Sequence, residues 1–254
     1  MREALRLGSL TREDVLRLAP DATVVLPTAS TEQHGPHLPL MADALIGEAI
    51  AERAAELASE QVPVLVAPTL TFGVSGHHLF SCALSVKSST YLALLNDLAD
   101  SLVVSGFRRI FVLNSHGGND ECVKLLAKEL VLRHEVAVGA ASYWDIGASA
   151  ALNAGAEQFG LFPGHSGGFE TSLIMALKPD LVRTDRLPAV DPQPPAIFSR
   201  GIAKGLVVQR HGEWARIGGY TDAPSRASSE AGRMLLEAIS GAVARAIVAF
   251  HRAC

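Results

Sequence analysis

The sequence predicts an α/β fold, a mostly parallel sheet covered by helices on both faces. Short apolar runs alternate with helical stretches of about 10 to 20 residues, the pattern of β-α-β units. The clearest run, Arg109 to Leu113 (RIFVL), is apolar without strict alternation, as a strand buried on both faces should be. The loops at 28–43, 71–81, 114–119 and 144–170 carry histidine, glycine and carboxylates, and each follows a predicted strand. Sites in such folds gather beyond the carboxyl ends of the strands.

Thr11, followed by Glu13 and Asp14, caps a short helix to about Ala19. Thr23 to Pro27 is a first strand. Asp43 caps a helix in which Ile46, Ala49, Ile50, Ala54 and Leu57 recur at helical spacing. Val62 to Ala67, with Pro63 and Pro68 at its bounds, reads as a buried strand. Ser88 and Ser89 precede a long helix with Tyr91, Leu95, Leu98 and Leu102 on one face, and Gly106 stops it. RIFVL runs into Asn114-Ser115-His116-Gly117-Gly118-Asn119, after which Leu126 and Leu130 mark another helix. Val136 to Tyr143 is a further strand. Phe169, Leu173 and Leu177 mark a helix behind the glycine-rich turn at 164–168. Residues 184–227, rich in Pro and Gly without periodicity, read as loops with room for a hairpin, and Ser228 to Phe250 closes the chain as a helix. With no internal repeat or low-complexity segment, 1–254 reads as a single domain.

Forty-eight per cent hydrophobic and 19% charged residues allow a sizeable core and exclude disorder. A net charge of −4 with 6% aromatic residues gives no support to a nucleic-acid surface. No apolar run reaches the ~18–20 residues of a membrane span, and the charges in MREALRLGSLTRED interrupt any signal-peptide core. Cys82, Cys122 and Cys254 have no CxxC spacing, so neither a disulfide framework nor a cysteine zinc site is expected. A reducing, cytoplasmic setting is the simplest expectation.

The chemistry concentrates in Leu26 to Asp43, LPTASTEQHGPHLPLMAD. Glu32 and His34 are two apart, so in an extended segment both aim to one side. With Asp43 they make a ligand set suited to a borderline divalent metal such as zinc or manganese. A surface loop can carry the same residues by chance, and a second histidine loop weighs against that. His116 stands between a strand end and Gly117-Gly118, where absent Cβ atoms let a ligand approach. The bland alternative is a tight strand-to-helix connection capped by Asn119. Glu170, near the start of a helix, is either a charge complementing the helix dipole, worth ~0.3–1 kcal/mol, or a further ligand. His165, on a glycine-flanked loop, fits a proton donor better than a ligand.

TEQHGPHLPLMAD, NSHGGN and GHSGGFETS together resemble the creatininase family, the creatinine amidohydrolases and their relatives. GVSGHHLF and GGYTDAPSRAS extend the resemblance over most of the chain. It implies a creatininase-like three-layer αβα fold, a two-metal hydrolase site and a homo-oligomer, commonly a hexamer. Carried over residue by residue, Glu32, Asp43 and His116 would hold one ion and His34 and Asp43 the second, with Asp43 bridging. Glu170 would complete the second set, because creatininase has a glutamate ligand where this chain has Gly118. The ions would be zinc or manganese, with iron as a further option, and a hydroxide between them would attack a small-molecule amide. His165 matches a histidine proposed to protonate the leaving nitrogen, and with Glu170 is counted as catalytic. Trp144 matches an aromatic residue flanking the substrate, although a core tryptophan at a strand end is nearly as good a reading. Of His37, His77 and His78, only His78 fits a family position, and it joins Trp144 as a candidate substrate contact.

Three departures limit the substrate. Gly118 replaces a ligand, Phe80-Ser81-Cys82-Ala83 stands where the family has an FPGT-like segment, and His165-Ser166-Gly167-Gly168 replaces the HAGE of many relatives. The expected activity is hydrolysis of a non-peptide C–N bond in a cyclic amide or formamide. The alternatives are a metallopeptidase acting on a short or modified peptide and a metal-holding subunit without turnover. Pocket walls are expected from 71–85, 144–168 and 184–220.

Overall fold

The computed structural model describes residues 5–192 and 208–254. Five strands form one wholly parallel sheet: β1 (Leu5–Arg6), β2 (Thr23–Thr28), β3 (Val64–Val66), β4 (Arg109–Asn114) and β5 (Ala137–Ser142), in the order β1-β3-β2-β4-β5. The central pair runs in register from Thr23 opposite Arg109 to Thr28 opposite Asn114. Side chains alternate across these strands. Val25, Phe111 and Leu113 enter one core, while Val24, Leu26, Ile110 and Val112 enter the other. That double burial is why the runs are continuously apolar.

The first core is covered by α2 (Ala42–Ala58), α5 (Tyr143–Asn153), α6 (Gly168–Leu177) and α8 (Ser229–Ala253). The second is covered by α3 (Ser88–Val104) and α4 (Asp120–Arg133), with Val15 and Leu18 of α1 (Arg12–Leu18) packed at its margin. The result is the three-layer αβα arrangement expected. The helix α8 is long and largely apolar, enough by length and composition to cross a membrane. It nevertheless buries Leu235, Ile239, Val243 and Ile247 as one stripe against the core and carries Arg233, Glu237 and Arg245 elsewhere. That is the pattern of a core helix.

Several expectations are corrected. Asp43 does not cap α2; Met41 precedes the helix and Asp43, within its first turn, is buried. The buried stripe of α3 is Tyr91, Leu95 and Ala99, with Leu98 and Leu102 only partly covered. Trp144 sits not at a strand end but in the first turn of α5, a helix absent from the expected element list. The described parts of 184–227 hold no hairpin, only a 3-10 turn at Thr184–Arg186 and a short helix, α7 (Glu213–Arg216). The remainder of that segment, 193–207, lies outside the described residues.

Candidate metal centre

The outgoing connections of β2 and β4 lead to opposite faces of the sheet, since α2 packs in the first core and α4 in the second. The crevice between two such adjacent strands is where ligands bind in open parallel sheets. Both loops that border it are anchored by side chains. Asn114 accepts from the His116 amide at 3.2 Å and donates to the His116 carbonyl at 2.7 Å, fixing the turn that carries that imidazole. The Ser115 hydroxyl shares its one hydrogen between the carbonyls of Thr28 (3.0 Å) and Asp43 (2.9 Å), tying the first turn of α2 to the strand ends. Gly47 permits this approach, because a Cβ there would lie 2.4 Å from the Ser115 hydroxyl.

Five side chains converge in the crevice, all buried. Asp43 lies at the centre. Its Oδ1 is 3.1 Å from His34 Nε2, and its Oδ2 is 3.0 Å from His116 Nδ1. On the His34 side, Glu170 Oε2 stands 3.8 Å from Nε2. On the His116 side, Glu32 Oε1 stands 3.3 Å from Nδ1. Glu170 reaches in from α6, where the Ser166 amide donates to its Oε2 at 2.5 Å.

The outer nitrogens of both imidazoles meet backbone carbonyls, so each ring donates outward. His34 Nδ1 lies 3.1 Å from the Glu32 carbonyl, and His116 Nε2 lies 3.1 Å from that of Val74. In the neutral rings this places the lone pair inward, at His34 Nε2 and His116 Nδ1. An imidazole held by its other N–H is the usual posture of a metal-binding histidine.

Burial opposes charge on His34, but Asp43, Glu170 and Glu32 outweigh it and raise the ring to about 10. His116 is raised well above its ordinary value, Glu32 and Asp43 overcoming the same burial cost. Burial also disfavours ionised Glu32 and Asp43, yet the neighbouring histidines hold both carboxyls below their usual range. Glu170 differs: burial dominates and pushes it up to about 7. Without metal, protons on imidazoles balance the carboxylates.

A direct test of fit comes from the polar atoms left over. Both oxygens of Glu32 and Oδ2 of Asp43 are buried without a hydrogen bond of acceptable geometry. Orphaned carboxylate oxygens facing inward imidazole nitrogens are what a cation would satisfy. His34, Asp43 and Glu170 offer donor atoms within 4.8 Å of one another, as do Glu32, His77 and His116. The residues present therefore fit divalent metal.

The centre opens into a cavity of about 1140 Å³. His78, His165 and Trp144 line it, as do Glu121 and the 209–215 segment. His165 is held down to about 3 by burial and by His34, and His78 to about 2 by burial and His165. Both rings are therefore neutral at working pH. Trp144 also packs on the first core, so the wall and core readings hold together. Trp214 on α7 was not anticipated from the sequence. Its ring lies 4.8 Å from His78 and 5.3 Å from His165. His37 stands apart from the cluster, its Nε2 2.8 Å from the Thr171 hydroxyl and its ring pushed down to about 4 by burial and His34.

Residues 8–247 match the family model described as creatininase, creatinine amidohydrolase. The chain belongs to the creatininase family. It is 31% identical over 229 residues to the mycofactocin precursor peptide peptidase of Mycobacterium ulcerans (strain Agy99), covering 88% of this chain and 84% of that one. It is 33% identical over 216 residues to the creatinine amidohydrolase of Pseudomonas putida, covering 78% and 80%. Among solved structures, a manganese creatininase superposes with a TM-score of 0.77 at 30% identity, covering 96% of this chain and 97% of that one.

Gly118, which follows His116 by two residues, is packed tightly against the 73–78 loop. A Cβ on Gly118 would stand 2.0 Å from the Val74 carbonyl and 2.7 Å from His116 Nε2. No side chain fits there while the 73–78 loop holds its place, and the carboxylate beside His34 is that of Glu170 on α6.

Proposed function

We propose that this creatininase-family chain is a metal-dependent amidohydrolase that cleaves a non-peptide C–N bond, in a cyclic amide or a formamide, at a two-metal centre. The observation that carries the reading is the division of Asp43 between two half-sites, Oδ1 with His34 and Glu170, Oδ2 with His116 and Glu32. Three carboxylates and two neutral imidazoles would supply about −3 against +4 from two divalent ions. Bound there, zinc or manganese would lower the pKa of a shared water and polarise the scissile carbonyl.

The chain's own residues supply the rest. His165 enters the reaction neutral, so it accepts a proton before it can pass one to the leaving nitrogen. Its backbone amide donates to the Thr221 hydroxyl at 2.9 Å, which holds the loop in place. Trp144 and Trp214 offer aromatic walls for the substrate, with His78 between the ligands and Trp214. Leu79 and Phe80, exposed at the cavity wall, support the expected homo-oligomer.

A second reading, peptidase action on a short or modified peptide, is favoured by the naming of relatives at 31–33% identity as peptidases. The same centre would serve both. The deciding experiment assays zinc- and manganese-loaded protein against cyclic amides, formamides and short peptides, with Asp43→Ala as control. Turnover of an amide or formamide, abolished by the substitution, supports the first reading. Cleavage of peptides alone replaces it with the second, and no turnover of any class leaves a metal-holding subunit.

A further inference from the structure

Gln33 lies between Glu32 and His34 in the chain. Its carboxamide meets groups of fixed polarity. The Gly35 amide, which can only donate, is 2.9 Å from Oε1. The Gly219 carbonyl, which can only accept, is 2.9 Å from Nε2. These two contacts settle which end is oxygen. Gly219 is required for the fit, since a Cβ there would lie 2.4 Å from Oε1.

The second hydrogen of Nε2 points to His78 Nδ1 at 2.7 Å, which must accept it. A neutral imidazole accepting at Nδ1 carries its proton on Nε2. That nitrogen stands 3.4 Å from Glu32 Oε1. His165 Nε2 lies 3.2 Å from Gln33 Nε2 and 3.1 Å from the Gln33 carbonyl. The amide has no third hydrogen to give, so His165 donates from Nε2 to the carbonyl. Its Nδ1 is left bare, 3.8 Å from Glu32 Oε1.

We propose that Gln33 is a positioning residue that sets opposite polarities on two neighbouring histidines. His78 presents an N–H toward Glu32, and His165 presents an unprotonated nitrogen toward the centre. The consequence for catalysis rests on the hydrolase reading: His165 is prepared as an acceptor, and His78 sets an N–H dipole whose nitrogen is 3.4 Å from the Glu32 carboxylate.

The test is ¹⁵N–¹H correlation of zinc-loaded, ¹⁵N-histidine-labelled protein, with signals assigned by His78→Ala and His165→Ala. Both rings should carry their proton on Nε2. Gln33→Glu keeps the shape and the bond from Gly35 but turns the donor into an acceptor. It should move a proton to His78 Nδ1 while His165 keeps its own on Nε2, since that bond goes to the backbone. A merely structural role would not reverse one ring and spare the other. A wild-type His78 protonated at Nδ1, or a Gln33→Glu spectrum with the His78 tautomer unchanged, overturns the proposal. If that variant does not fold, the wild-type spectrum decides. Zinc content of the same sample keeps the two readings apart, because its absence would count against the hydrolase and leave the tautomers to be read.

Discussion

The two halves of the centre are built differently. Glu32 and His116 stand on the loops after β2 and β4, two strands paired in register over six residues and packed on both faces. His34 stands two residues after Glu32 on the same loop, but Glu170, the carboxylate facing it, comes from a segment distant in sequence. Glu170 comes from α6, whose first amide donates to Asp222 at 2.9 Å and whose preceding loop is tied to Thr221. Asp222 also blocks any Cβ at Gly167, 2.1 Å away. One half is therefore set wholly by the sheet, while the other draws its carboxylate from a helix start clasped by a late loop. Asp43, at the first turn of α2, joins them.

Asp43→Ala should have the largest effect, because it removes a donor from both halves. Both ions should be lost and hydrolysis should fall by more than the ~10–100-fold that an outer partner costs, with far-UV circular dichroism little changed. Retention of activity after this change would remove the idea of a shared bridge. Glu170→Gln should cost the clasped half alone, leaving about one ion per chain on Glu32, Asp43 and His116. Loss of both ions would show that the halves are not separable.

The Gly118 prediction sharpens the same contrast. Gly118→Ala should destabilise the fold by ~1–3 kcal/mol in chemical denaturation, as overpacking does, because the new Cβ meets the Val74 carbonyl. Gly118→Glu should not restore metal to Glu170→Gln. Recovery of the second ion in that double variant would mean that the 73–78 loop yields readily.

A smaller effect concerns pH. Without metal, His34 is raised from 6.5 to about 10 and Glu170 from 4.5 to about 7, and His116 is raised as well. Groups with raised folded values stabilise fully below their unfolded values and lose that contribution as pH rises through the folded ones. The Tm of metal-free protein should therefore fall from about pH 7 to 10, the interval through which His34 deprotonates. Metal-loaded protein should follow this trend much less, its ring nitrogens holding ions in place of protons. Below pH 6.5 the lowered His37, His78 and His165 act in the opposite sense, since unfolding lets them take protons. Calorimetry of both forms checks the sign, and a metal-free Tm that rises from pH 7 to 10 contradicts it.

Much of this was legible in the sequence where the signal is local. β2 and β4 are apolar runs of β-branched and large residues, and Glu32 and His34 alternate on one extended segment, so the strands and this carboxylate–imidazole pair read directly. The helix α5 was not legible, because Tyr143-Trp144-Asp145-Ile146-Gly147-Ala148 mixes large and small residues without a helical stripe. It is stabilised by contact, with Gly147 so close to Ile239 that a Cβ would lie 3.0 Å from its methyl. Asp43 looked like a cap because a carboxylate at a helix start usually is one; its burial between two imidazoles is a tertiary fact. Trp214 lay in a stretch without periodicity. Gln33 was in plain view within EQHG, but its role depends on Gly219 and two histidine loops that no spacing rule brings together.

The most direct test of the two-half centre is elemental analysis of the purified protein, as isolated and after loading with zinc or manganese. The account predicts about two equivalents per chain for the wild type and about one for Glu170→Gln. Fewer than one equivalent in the wild type, not restored by added metal, would show that these buried carboxylates and imidazoles do not form a metal centre.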